Sequence, residues 1–242
     1  MLKLDRQERY RQRYKQLRAG YRPALEIYKE ISDQLVNEQT RLLDAGCGEG
    51  GLSQDYQITA ALVIGIDRYV QPIRETIGLQ RIVDGDLRRL PFPDQTFNLI
   101  LCSWVLEHLE HPQQTFAEIR RVLRPNGYFL FITPNAYNYL IMARRLIPNR
   151  VSTPVVDRLY GRGEDFIFPT FYRANTQRAI NGYLQPLGFQ QRRFEYVSDP
   201  TYTAFNEVLF YLTIGVEGVL NTVFPQGKVH LVGLYQLEGT NR

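Results

Sequence analysis

Three carboxylates, each closing a short apolar run, carry most of the chemistry in this sequence. Leu42-Leu43-Asp44 leads into Ala45-Gly46-Cys47-Gly48-Glu49-Gly50-Gly51. Leu62-Val63-Ile64-Gly65-Ile66 ends in Asp67, and Ile82-Val83-Asp84-Gly85 reaches Asp86. A buried parallel strand that ends in an acid and turns through glycines brings a ligand to the free N–H groups of the next helix. Such a loop suits a nucleotide-like ligand. An acid after the second strand, here Asp67, can accept hydrogen bonds from both hydroxyls of a ribose. Each acid also has a plainer reading as a helix cap or turn former; it is their joint arrangement that points to a ligand. Cys47 sits inside the loop, where a thiol near a helix start can become reactive, but a small residue is needed there for packing and no nucleophile is assigned.

The loop also satisfies G-x-G-x-x-G through Gly46, Gly48 and Gly51, a weak dinucleotide signal by itself. Asp44 argues against that reading, because a carboxylate two residues before the first glycine sits badly beside a pyrophosphate. It suits a ligand with an ammonium and a sulfonium, and S-adenosylmethionine carries both and no phosphate. Downstream, Leu90-Pro91-Phe92-Pro93-Asp94-Gln95-Thr96-Phe97-Asn98 precedes a fourth apolar run and Glu107-His108-Leu109, and Arg124-Pro125-Asn126-Gly127 precedes a fifth. In order and spacing, residues 40–134 resemble the class I S-adenosylmethionine-dependent methyltransferases. Asn98 departs from the family's usual Asp. The resemblance implies a cofactor site at Asp44, Gly46, Gly48, Gly50, Asp67, Arg68, Asp86, Leu87 and Cys102, with Asp86 at the adenine amino group.

These residues need a scaffold that ends several strands at one edge. Strands alternating with helices imply a parallel sheet, and the resemblance implies an α/β, Rossmann-like doubly wound sheet of about seven strands whose last strand is antiparallel. The sequence reads as a single methyltransferase domain over 1–242 in three parts: an N-terminal helical cap (1–37), a cofactor half (38–134), and a substrate half with a lid and an apolar insertion (135–242). Pro23 starts the second cap helix. Thr176 to Leu187 predicts a helix, Phe189 to Val197 the sixth strand and Val229 to Leu237 the seventh.

Acceptors in open α/β sheets bind beyond the carboxyl ends of the strands. That places Trp104, Asn135, Tyr137, Phe171 and Tyr172 at the substrate, under the cap and a lid over 160–173. In that lid Gly161 and Gly163 would hinge an apolar cover of Phe166, Phe168, Phe171 and Tyr172. A hydroxyl acceptor needs a base, and His108 and His111 are the candidates. Cys102 and Ser103 stand where a divalent metal would want acids, so no metal is expected. The leading reading is O-methylation of a small molecule or a lipid- or sugar-linked acceptor. An inactive cofactor-binding partner subunit would be expected to have a damaged glycine loop or no ribose acid, and this sequence has neither defect. A nucleic-acid methyltransferase is disfavoured because Cys102-Ser103-Trp104-Val105 replaces the tetrapeptide of base-methylating enzymes.

Two cysteines do not make a disulfide framework, and no signal-like segment opens the chain, so a cytoplasmic location is expected. The formal charge of +4 does not call for nucleic acid. Residues 202–224 are too apolar for a solvated loop and too interrupted by Glu207 and Glu217 for a membrane span. A helix buried on the core, a homodimer interface and a peripheral membrane contact all remain open for this segment. Eight Lys/Arg against two acids in residues 1–22 favour the last of these.

Overall fold

Near-continuous apolar runs make strands that must be covered on both faces, and that is how the central strands are used. The structure, a computed structural model, describes residues 4–48, 50–68, 79–146 and 169–239. Its seven-stranded sheet has the order β3-β2-β1-β4-β5-β7-β6. The strands are β1 (Arg41–Ala45), β2 (Leu62–Asp67), β3 (Ile82–Asp84), β4 (Phe97–Ser103), β5 (Leu123–Pro134), β6 (Phe189–Val197) and β7 (His230–Leu237). The first five run parallel, while β7 pairs antiparallel with both β5 and β6. The sheet is therefore the Rossmann-like one expected, with the last strand antiparallel.

Alternation along each strand divides the core. Leu43, Ile66, Ile100, Phe129 and Phe131 face one layer, together with Phe116 and Ile119 of α3 (Pro112–Val122) and Ile180 and Leu184 of α5 (Gln177–Leu184). Leu42, Val63, Leu99, Leu130 and Ile132 face the other, under Ala24, Ile27, Tyr28 and Ile31 of α2 (Ala24–Leu35). That i, i+3, i+4, i+7 stripe makes α2 a covering layer of the sheet. The N-terminal helices are thus not a cap over the ligand edge: α2 lies on the sheet face, and α1 (Leu4–Leu17) packs against residues 200–210 through Tyr10 and Tyr14.

Local chemistry fixes the joints. Pro112 opens α3 at its first turn, where its missing N–H costs nothing. Thr176 caps α5 by accepting from the Ala179 N–H, and Gly188 follows the helix end in the left-handed region. Asn98 ties strand ends together: its side chain accepts from the Arg41 N–H at 2.8 Å and donates to the Gln39 carbonyl at 3.3 Å. It therefore serves the sheet and is no lost site residue. After the glycine loop the helix expected there is a 3-10 helix over Gly51–Gln57. Gly50 and Gly51 are both left-handed there, and Ser53 turns inward to bond Asp44 and the Gly50 carbonyl.

Helix α4 (Tyr139–Leu146) follows β5, and α6 (Glu207–Val223) sits between β6 and β7. The reading of residues 202–224 as a helix buried on the core does not hold. Only Phe210, Thr213 and Glu217 of α6 are buried, while its valines and leucines face outward.

Candidate active site

The strand order turns at β1 and β4, which lead away from each other, so their carboxyl ends open a crevice. A cleft of about 800 Å³ lies there, within the range of sites that take small molecules and cofactors. Its lining includes Asp44 near the end of β1, Gly46, Cys47 and Gly48 of the loop, Asp67 and Arg68 at the end of β2, Asp86 and Leu87 after β3, and Trp104 after β4. His108, His111 and Phe171 line it as well.

Backbone shape makes the loop. Gly46 has φ +81, and a Cβ there would lie 2.3 Å from a Val105 methyl, so no other residue fits without displacing the cleft wall. The Gly46 and Cys47 N–H groups both donate to the Ile66 carbonyl, locking the loop to β2. Asp67 closes the other side by accepting from the Gly48 N–H at 3.0 Å. One carboxylate oxygen thus shapes the loop, which orients the group to face the cleft.

The acids differ sharply in charge state. Burial pushes Asp44 up to about 7, against the hydrogen bond from Ser53, and Asp67 adds to the rise. Asp44 is a carboxyl short of a cation, which is what an ammonium-bearing ligand supplies. Asp86 goes the other way. Burial opposes its ionisation, but hydrogen bonds from the Arg88 side chain and N–H and from Arg68 hold it well below the usual carboxylate range. Burial, then Asp44 and Asp67, push the Cys47 thiol up to about 12; it stays protonated near neutrality and is no nucleophile.

At the mouth, a 3-10 turn over Leu106–His108 turns Glu107 inward and His108 toward the cleft. The Glu107 carboxylate accepts from Thr133, whose hydroxyl accepts in turn from Asn175. The Glu107 carbonyl accepts from the N–H groups of Phe171 and Tyr172. His108 Nδ1 lies 2.9 Å from the Pro169 carbonyl. A carbonyl only accepts, so Nδ1 carries the proton and Nε2 is the basic nitrogen. These bonds hold Pro169 and Phe171 as a fixed wall of the cleft. Of the expected lid, residues 160–168, with Gly161, Gly163, Phe166 and Phe168, lie outside the described residues. Trp104 stands opposite with φ +57, uncommon for so bulky a residue, and its ring meets His230 edge-on at 5.0 Å.

Five of the expected site residues stand elsewhere. Gly50 faces the Gln54 side chain and not the cleft. Cys102 is buried in the core, because the alternation that turns Ser103 outward turns its neighbour inward. Asn135 is fully buried and donates to the Gln226 and Lys228 carbonyls, tying β5 to the turn before β7. Tyr137 packs toward Phe224 beside a separate hollow. Tyr172 gives its N–H to the Glu107 carbonyl and does not line the cleft. Conversely, Arg88, Ser103, Glu110, Thr115 and Pro169 line the cleft without having been singled out. The spacing of Arg88 from Asp86 could have been noticed; Pro169 is brought in by tertiary bonds that leave no local pattern. No residue of the N-terminal helices lines the cleft among those described.

Residues 43–131 match a family model described as a methyltransferase domain. A protein of Mycolicibacterium smegmatis named "Probable S-adenosylmethionine-dependent methyltransferase" is 38% identical over 116 residues, covering 47% of this chain and 44% of its own. A fatty-acid O-methyltransferase of the same organism is 34% identical over 120 residues, covering 46% and 43%. Each match spans less than half the length of the relative. The fold is shared with a solved S-adenosylmethionine-dependent methyltransferase from Mesorhizobium loti, with TM-score 0.59, 17% identity and coverage of 86% of this chain and 96% of that one. The glycine loop after β1 and the acid at the end of β2 both fall within the matched stretch, and over that stretch the chain is similar to the S-adenosylmethionine-dependent methyltransferases.

Proposed function

We propose that this protein transfers the methyl group of S-adenosylmethionine to a hydroxyl oxygen of a small acceptor with an apolar, lipid-type body, and that His108 takes the proton. The observation that carries this reading is the His108 tautomer: with Nδ1 donating to Pro169, Nε2 is the basic nitrogen of a side chain that lines the cleft.

The family's cofactor fits the residues. Asp44 would accept from its ammonium, Asp67 from its ribose hydroxyls and Asp86 from its adenine amino group, which makes Arg68 and Arg88 exchange partners at Asp86. The cofactor supplies an electrophilic methyl on a sulfonium. This chain's part is to align the acceptor oxygen with that methyl and to remove one proton. Alignment of two bound reactants supplies much of the acceleration in such displacements. Trp104, Leu109, Pro169 and Phe171 offer an apolar wall for the acceptor body, which agrees in kind with the fatty-acid O-methyltransferase it resembles over 120 residues. With the cofactor bound, His108 Nε2 would accept the acceptor's O–H proton as the oxygen takes up the methyl group.

The test is His108→Gln assayed with labelled methyl donor against a panel of hydroxylated acyl and aromatic acceptors. Losing a general base is expected to lower kcat by roughly 100-fold or more, with cofactor affinity unchanged by calorimetry. A variant that turns over at the wild-type rate on every accepted hydroxyl would overturn the role of His108.

A further inference from the structure

Helix α6 is amphipathic the wrong way round for water. Its inward stripe, at spacings of three and four, is Phe210, Thr213 and Glu217. Its outward stripe is Val208, Leu212, Val216, Val219 and Val223, 52–78% exposed. A helix that buries a threonine and a glutamate and offers valine and leucine outward has an apolar neighbour on that side. We propose that the neighbour is an anionic lipid surface, docked on α6 and steered by α1.

Charge selects that occupant. Helix α1 lies against α6: Tyr10 stacks on Phe210 at 4.7 Å, and the Arg13 guanidinium sits over the exposed Tyr211 ring at 5.4 Å. Arg13 is neutralised by Glu207 at 2.8 Å. Arg6 and Arg9 are exposed and make no ion pair with a carboxylate among the described residues, and Arg18, also exposed, lies within electrostatic reach of Glu217. Arg6 donates to the Phe205 carbonyl one residue before the α6 cap, which fixes a cation at the rim of the apolar face. An apolar helix flanked by cations is the pattern that binds in the headgroup region of anionic membranes. A two-fold dimer through the same face would bring a second set of α1 arginines to the same rim, a like-charge contact that opposes it. No helix among the described residues is long and apolar enough to cross a membrane, so the contact is peripheral.

The fold puts this face at the ligand edge. Because β5 and β6 each run antiparallel to β7, they run parallel to one another. Val197 therefore ends β6 at the sheet edge where Asp44, Ser103 and Pro134 end their strands, and α6 follows after the turn Pro200–Thr203. Trp104 of the cleft wall rests on His230, which hydrogen-bonds Tyr202 of that turn at 2.9 Å. A membrane on α6 thus lies beside the acceptor entrance, and the purpose of docking, though not docking itself, rests on the lipid-type acceptor proposed above.

The test is flotation of the full chain with vesicles of equal parts phosphatidylglycerol and phosphatidylcholine, and with phosphatidylcholine alone, at about 50 and about 500 mM salt. The protein is expected to float with the anionic vesicles at low salt and to dissociate at high salt. Leu212→Glu with Val219→Glu, both at exposed positions, is expected to abolish flotation, and Arg9→Glu to weaken it about fivefold or more. Cofactor affinity, measured on the same proteins, is expected to stay unchanged in all variants, which separates docking from folding. Failure of the wild-type protein to float, flotation that survives the double substitution, or a dimer by light scattering that the double substitution dissociates would each overturn the proposal. Flotation without cofactor binding would instead leave docking standing and sink the enzymatic reading.

Discussion

Replacing Asp44 with asparagine opposes stability and function at one atom. The carboxyl is buried at the wall of the cleft, its neighbours are the Ser53 hydroxyl and a second acid, and its titration is raised from 3.8 to about 7. A raised acid binds its proton more tightly in the folded chain than in the unfolded one, so stability falls as pH climbs from 3.8 to about 7 and stays low above it. The cost at pH 8.5 is on the order of 4 kcal/mol. The amide introduced by Asp44→Asn can still accept from Ser53 and carries no charge. The variant is expected to melt several degrees above wild type at pH 8.5, at roughly 2–4 °C per kcal/mol for a chain of this size, and the gain should vanish at low pH. Cofactor affinity should move the other way. Losing a charged hydrogen bond to the cofactor ammonium costs about 1.5–3 kcal/mol, roughly tenfold to 100-fold in Kd. Wild-type affinity should rise as Asp44 ionises through about 7, and the rise should be lost in the variant. Calorimetry and thermal unfolding at both ends of that range provide the readouts. An Asp44→Asn protein that binds as tightly as wild type at pH 8.5, or melts no higher, would refute the reasoning.

Two further perturbations follow from the same treatment of polar groups. Asp67→Ala removes the acceptor of the Gly48 N–H together with the proposed acceptor of the ribose hydroxyls, so cofactor affinity should fall by roughly tenfold or more; unchanged calorimetric binding would reject the assignment. Glu217 is pushed up to about 7, by burial first and then by Asp199, and its Oε2 has no hydrogen-bond partner among the described residues. Its raised titration makes it a burden that appears as pH rises from 4.5 to about 7, so Glu217→Gln should raise the melting temperature at pH 8.5 and leave it nearly unchanged at pH 4; an equal shift at both values would contradict the charge argument.

The cofactor half was legible because its signals are local. Asp44, Asp67 and Asp86 each close an apolar run, and such a run in an α/β chain is a buried strand whose end sits at the ligand edge. The later strands were legible for the same reason: Phe189 to Val197 is the sixth strand as read, and the seventh begins one residue inside its expected start. What failed depended on direction and not on type. Cys102 and Ser103 are neighbours on one strand, and only the fold says which of them meets the cleft. Asn135 and Tyr137 follow β5 at the right edge, but the turn before β7 takes their polar and aromatic groups for itself. The N-terminal helices were read as a cap because nothing in the α2 stripe says whether it covers a sheet face or a sheet edge.

Residues 202–224 show why direction matters more than composition. Their apolar content alone favours a buried helix over a homodimer interface or a lipid contact, and a helical period adds only that one stripe differs from the other. At Thr213 the inward stripe is polar because of what awaits it. Arg11 and Asp199 pair at 3.0 Å behind α6, Thr201 also donates to Asp199, and Thr203 bonds Thr213 across the turn. A wholly apolar inner face would leave part of this cluster without its hydrogen bonds, which is costly once it is buried. With Thr213 and Glu217 committed inward, the remaining Val and Leu positions of a helix turning every 3.6 residues have nowhere to point but out. The exposed apolar face therefore follows from the buried polar one, and it is on that face that the proposed lipid contact rests.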